Sequence, residues 1–164
     1  MGILTSDMQR MVREQRLGYV ATVCPDGTPN LSPKGTLAVW DDDHLLFADI
    51  ASPGTMANLR SNAAVEINVV DVVTRKGYRF KGKASIITEG ALFEQAVAFY
   101  WERGTVNPIR AVALVTVERA APLISPAYDL GRTENEVRSR WLRYWRTLWR
   151  DTWGAPADGD PPGG

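Results

Sequence analysis

Six stretches rich in β-branched and aromatic residues, each bounded by turn formers, constrain this chain more than any other feature. They lie at residues 18–23, 30–40, 44–49, 64–70, 78–87 and 111–117. Pro25-Asp26-Gly27-Thr28 has the chemistry of a tight turn between the first two, and Asp41-Asp42-Asp43 turns the chain into the third. Closely spaced strands with few helices between them predict a mainly antiparallel six-stranded sheet curled into a small barrel. A parallel α/β sheet would need a long crossover after almost every strand.

Four helical patterns accompany the strands. Ser6-Asp7-Met8-Gln9 resembles a capping box and opens a helix to Arg16, with Met8, Met11 and Val12 on one face. Ser52-Pro53-Gly54-Thr55 opens a short helix that turns Met56 and Leu59 inward. A third runs through Leu92, Phe93, Ala96, Val97 and Tyr100. The last starts at an N-cap, Thr133, and reaches Trp153 with Val137, Trp141, Tyr144, Trp145 and Leu148 as its apolar stripe. Residues 1–132 therefore read as a barrel domain and 133–153 as an amphipathic Arg/Trp helix, while 154–164, all Pro, Gly, Ala and Asp, read as a disordered tail.

Composition removes several functions. With 164 residues the chain is one domain, and 19 basic against 19 acidic side chains argue against a nucleic-acid binder. Short, charge-broken apolar runs argue against a membrane span, and the N-terminus lacks signal-peptide character, so a cytoplasmic protein is expected. Met1-Gly2 with Ser6 fits a myristoylation pattern only superficially. Cys24 and His44 are the sole residues of their kinds, which leaves neither a disulfide nor a histidine triad nor a transition-metal site. Asp41-Asp42-Asp43 could chelate a hard cation but reads as a solvated turn.

What remains is a peculiarity of the second strand. Pro33 cannot donate to a ladder and Gly35 has no side chain to pack, yet Lys34, a cation, stands between them. Either this is an edge bulge with a solvated lysine, or the break presents a charge and free backbone groups to a ligand. Ser52-Pro53-Gly54-Thr55 is equally two-sided. It is a capped turn, or a phosphate loop of two hydroxyls and free N–H groups at a helix start. Arg79, Lys81 and Lys83 project together from one face of the fifth strand. A one-residue slip would reverse that face, so its direction stays open.

The stretch GYVATVCPDGTPNLSPKGTLAVWDDDHLLFADIASPGTMANLRSNAAVEINVVD, followed by GYRFKGKASI, resembles the FMN-binding split-barrel family of pyridoxamine 5'-phosphate oxidase-like proteins. The likeness covers residues 6–118, and it rests on the order and spacing of the pieces. It implies a homodimer with FMN in a crevice between the subunits and the isoalloxazine along the second strand, at Ser32, Pro33, Lys34, Gly35 and Thr36. It also implies ribityl and phosphate contacts from Ala48, Asp49, Ser52, Thr55 and Asn58, with Arg79 and Lys81 closing over the cofactor. The implied activity is that of an oxidoreductase acting on a small molecule. Alternatives on the same fold are a deazaflavin-dependent reductase and a flavin carrier or sensor without turnover.

Two departures matter. The Arg-Lys pair usual in the phosphate loop of the vitamin-processing oxidases is Pro53-Gly54-Thr55 here, and the chain ends in an Arg/Trp helix instead of a basic substrate strand. Pyridoxamine phosphate is therefore a poor candidate substrate. The Arg/Trp helix reads as an amphipathic element packed on the barrel or a partner, with a lid, a dimer clasp or a membrane-surface helix as the functional options.

Overall fold

The computed structural model describes residues 2–154. The tail expected to be disordered thus falls, beyond Gly154, outside the described residues. In chain order the elements are α1 (Ser6–Gln15), β1 (Gly18–Val23), β2 (Pro29–Lys34), β3 (Ala38–Val39), β4 (His44–Asp49), α2 (Pro53–Ser61), β5 (Ala64–Asp71), β6 (Lys76–Ile87), α3 (Ala91–Glu102), β7 (Ala111–Ile124) and α4 (Glu134–Trp153). By contacts they form two compact units, Met1–Val70 with Gly77–Leu123, and Asp71–Lys76 with the chain from Ile124 onward.

The first unit holds one sheet in the order β2-β1-β5-β6-β7-β4-β3, antiparallel in each pairing whose register is known. Expected and observed strands differ chiefly at two places, and at the first of them the last strand runs on to Ile124 instead of ending at Val117. At the second, residues 30–40 are two strands, and β2 and β3 occupy opposite edges of the sheet. The chain-breakers explain this. Pro33 has no N–H for a neighbour, and at Gly35 the chain leaves β1 and crosses to β4. The sheet has seven strands because the interrupted one serves both edges.

Burial follows from the residues. On β6, Phe80, Gly82 and Ala84 point inward while Arg79, Lys81 and Lys83 are exposed, the alternation of a half-buried strand. In β4, by contrast, Leu45, Leu46, Phe47 and Ala48 are all buried. Leu45 and Phe47 enter the main core beside Val20, Ile67 and Phe80. Leu46 and Ala48 meet Ala96 and Tyr100 of α3 on the other face. A strand covered on both sides reads as a continuous apolar run. Each fully buried large side chain contributes about 1.5–3 kcal/mol relative to exposure.

The helix caps refine the sequence reading. Thr5, not Ser6, caps α1, its Oγ1 accepting the Met8 N–H at 3.3 Å. Gln9 is thereby free to hold the Leu4 carbonyl (3.0 Å) and Asp42 (2.9 Å). Thr133 caps α4 with a full capping box to Glu136, as expected. In the second unit α4 rests on the turn at 71–76, where the Arg75 guanidinium lies 3.5 Å from the Trp141 ring centroid and Lys76 meets Glu134 at 2.7 Å. Among the described residues no helix is long and apolar enough to cross a membrane, and no cluster of His, Cys, Asp or Glu could hold a metal ion.

Candidate functional site

The end of β2 and the start of α2 meet at Lys34. Its ammonium group donates to Ser32 Oγ (2.7 Å) and to Ser52 Oγ (2.6 Å), and only 4 % of the residue is exposed. Ser32 lies two positions back on the same face of the strand, so alternation alone aligns that pair. The contact with Ser52 is long-range and belongs to the fold. Burial holds the Lys34 ammonium below its ordinary pKa, and the nearby Asp49 charge pulls in the opposite direction.

Asp49, itself buried, accepts the Ser52 N–H through Oδ1 at 3.0 Å. Carboxylate, serine and lysine thus fix one another at the corner where β4 gives way to α2. One consequence concerns the helix. Ser52 is the N-cap of α2, yet its side chain makes no cap bond; its hydroxyl oxygen accepts from Lys34. The first intrahelical bond runs from the Met56 N–H to the Ser52 carbonyl (3.1 Å), so Gly54 and Thr55 precede it with N–H groups of the kind that helix starts leave free. A Cβ added at Gly54 or at Gly35 would meet nothing within 4 Å, so the backbone is open to a ligand at both places.

The other residues expected at the site divide into three groups. Thr36 bridges to β4, its Oγ1 accepting the Ala48 N–H (3.0 Å) and donating to the Ala48 carbonyl (3.4 Å). Its side chain does there what a strand backbone would do, two residues before β3 begins. Thr55 and Asn58 are buried in α2. Asn58 Nδ2 donates to Thr22 Oγ1 (3.1 Å), which also accepts from Asn30 Nδ2 (3.1 Å), and it lies 3.5 Å from Cys24 Sγ. These bonds pin α2 over β1, at about 1 kcal/mol net for each. Sequence reasoning did not find Thr22 or Asn30, since a polar pair on a β1–β2 hairpin looks like ordinary surface until α2 covers it.

Arg79 and Lys81 form the third group. Both are exposed and both grip Glu66, Nε to Oε1 at 2.8 Å and Nζ to Oε2 at 2.9 Å. Glu66 pairs with Ala21 in the register β1·β5, while the buried Val20 pairs with Ile67 on that side and with Ser32 on the β2 side. Ser32 and Lys34 therefore share the Val20 face, and Arg79 and Lys81 stand on the opposite face of the sheet. The structure decides the direction that the sequence left open.

The residues present fit a phosphorylated ligand. A buried cation, an uncapped helix start with an open glycine and a strand edge converge on one corner. Because β2 is an outermost strand, one row of its backbone groups is unpaired and available to a ring edge or to another chain.

The fold defines a class that comparison with known proteins bears out. The family model described as pyridoxamine 5'-phosphate oxidase matches residues 4–124, and the chain belongs to that family of FMN-binding split barrels. HupZ of Group A Streptococcus is 37 % identical, with a TM-score of 0.67, over 74 % of this chain and 94 % of that one. An FMN-binding protein from Syntrophomonas wolfei shares the fold at 17 % identity and a TM-score of 0.63, covering 73 % of this chain and 85 % of that one. An F420 reductase does so at 22 % and 0.56, covering 71 % and 98 %. No sequence among curated proteins matches significantly.

Proposed function

We propose that this protein binds FMN at the Lys34–Ser52 corner and acts as an FMN-dependent oxidoreductase on a small molecule. One observation carries the reading: Lys34 is buried at the cost of desolvating its charge, and its ammonium is held by the serine at the start of α2, whose side chain makes no cap bond. A structural role alone would be served by an apolar side chain and a capping serine. Bound FMN would supply the hydride-accepting chemistry. Lys34, with the N–H groups at the start of α2, would hold the phosphate end. Asp49 keeps Ser52 in place, and the unpaired edge at Pro33 and Gly35 offers backbone groups to the ring. Arg79 and Lys81, on the other face and neutralised by Glu66, contribute little to this ligand.

The exposed apolar residues Tyr19 and Leu31 flank the same strand pair, and with the free edge of β2 they form the face on which a second copy would pack. Sedimentation velocity at micromolar concentration checks the homodimer, which is expected to appear as a single species of twice the chain mass. The functional experiment is the visible spectrum of the purified protein, with release and identification of any chromophore. FMN is expected. A deazaflavin band in its place would assign the alternative reductase, and bound FMN that is not reduced faster than free FMN by NADH or NADPH would assign a carrier.

A further inference from the structure

The second unit carries a feature of its own, beyond residue 124, where the family match ends, and independent of the FMN reading. The loop 125–132 and the first half of α4 line a groove of about 590 Å³, within the usual range for small-molecule sites. None of the residues around Lys34 takes part. Over its described residues this unit has eight basic and five acidic side chains, although the whole chain balances 19 against 19.

Both walls of the groove are fixed. In the loop, the Tyr128 and Gly131 N–H groups donate to the Ser125 and Tyr128 carbonyls (3.1 and 3.0 Å), and the Tyr128 hydroxyl donates to the Thr74 carbonyl at 2.7 Å. On the helix, Glu136, Arg140 and Arg143 follow one another a turn apart. Glu136, the one carboxylate of the lining, is engaged within the protein. Its Oε2 accepts the Thr133 N–H (2.8 Å) and hydroxyl (3.1 Å), and Oε1 lies 3.7 Å from Arg132 Nη1. Arg140 and Arg143 meet no carboxylate among the described residues, whereas Arg150 pairs with Asp151 and Lys76 with Glu134. Two unmatched guanidinium groups on one concavity favour an anion.

Beside the arginines the lining is apolar. Leu130 is 83 % exposed, Val137 is buried, and Trp141 contributes a ring whose orientation the Arg75 guanidinium fixes by stacking 3.5 Å from its centroid. An inorganic anion would use the guanidinium groups alone. A hydrocarbon body on the same ligand would also cover Leu130 and the free part of the Trp141 ring, removing apolar surface from water. We propose that this groove binds a small amphipathic anion, with one carboxylate or phosphate group on the Arg140 and Arg143 forks and an apolar body against Leu130, Val137 and Trp141.

Calorimetric titration of the full chain with octanoate and with octyl phosphate tests this, octanoate standing for amphipathic carboxylates and octyl phosphate for phosphorylated amphiphiles. Saturable binding of at least one probe is expected, at least about tenfold tighter than that of acetate, which lacks the body, or of octanol, which lacks the charge. It should weaken at least about tenfold in Arg140→Gln/Arg143→Gln. Arg138→Gln/Arg146→Gln, which removes the same charge from parts of α4 outside the groove, should leave it unchanged. FMN binding by Arg140→Gln/Arg143→Gln should match that of wild type, so failure here is separate from failure of the flavin reading. Absence of saturable binding for both probes, octanol binding as tightly as they do, or equal affinity in the two double variants would overturn the proposal. A measurement on wild-type protein needs no variant: phenylglyoxal modification mapped by mass spectrometry. Octanoate or octyl phosphate should slow modification of Arg140 and Arg143 but not of Arg146; equal rates with and without both probes would also overturn it.

Discussion

Lys34 and the Arg79/Lys81 pair are cations on one sheet, yet the fold treats them in opposite ways. Arg79 and Lys81 stand in solvent and share one carboxylate, the ordinary arrangement of a surface. Lys34 is buried and its ammonium is held by two hydroxyls instead of a carboxylate. Cations of the first kind cost little and contribute little. One of the second kind weakens the protein unless an anion completes it. The difference separates residues that keep a strand soluble from one kept for a ligand, and it can be probed from both sides.

The largest effect is expected on β6 itself, beneath the exposed pair. A Cβ at Gly82 would stand 2.0 Å from the Thr116 carbonyl oxygen, a backbone atom that cannot yield without parting β6 from its neighbour. Gly82→Ala should destabilise the protein by at least about 3 kcal/mol, as strain in a packed core does, and urea unfolding will show it. The inner face of β6 thus decides folding, whatever its outer face carries.

Lys34→Met inverts that pattern. FMN affinity should fall at least about tenfold, the loss of one charge-assisted contact, while stability changes by no more than about 1 kcal/mol or rises. Fluorescence titration and urea unfolding on the same preparation separate the two quantities.

The pH dependence sharpens the contrast. Burial lowers the Lys34 pKa in the folded protein below the ordinary 10.5. Between the lowered value and the ordinary one, the unfolded chain binds more protons at this site. The contribution of Lys34 to stability therefore rises with pH across that window. Below it, the cost of burying the charge is fully present. Denaturant midpoints in alkaline buffer should show this rise in wild type and not in Lys34→Met.

The smallest effect belongs to the exposed pair. Arg79→Gln and Lys81→Gln should each change stability by less than about 0.5 kcal/mol and leave FMN affinity near the wild-type value. A large loss of affinity would erase the distinction between the two kinds of cation.

Much of this was legible from residue types. Strand positions followed from β-branched runs and turn chemistry, and the Pro33–Gly35 interruption marked the place where one expected strand becomes two. The sharing of Ser52 with Lys34 was legible only in part, because the loop and the strand each announced a ligand but no local signal joins residues 18 apart. The direction of Arg79 and Lys81 was not legible, since alternation fixes a face only once a register is known. The belt of Thr22, Asn30 and Asn58 was invisible for the same reason.

Titration of FMN fluorescence with wild-type and Lys34→Met protein, both shown to be folded by circular dichroism, tests the central claim most directly. Saturable quenching by wild type, weakened at least about tenfold in the variant, is the predicted result. Undiminished FMN fluorescence with wild type, or equal affinity for the two proteins, would contradict it.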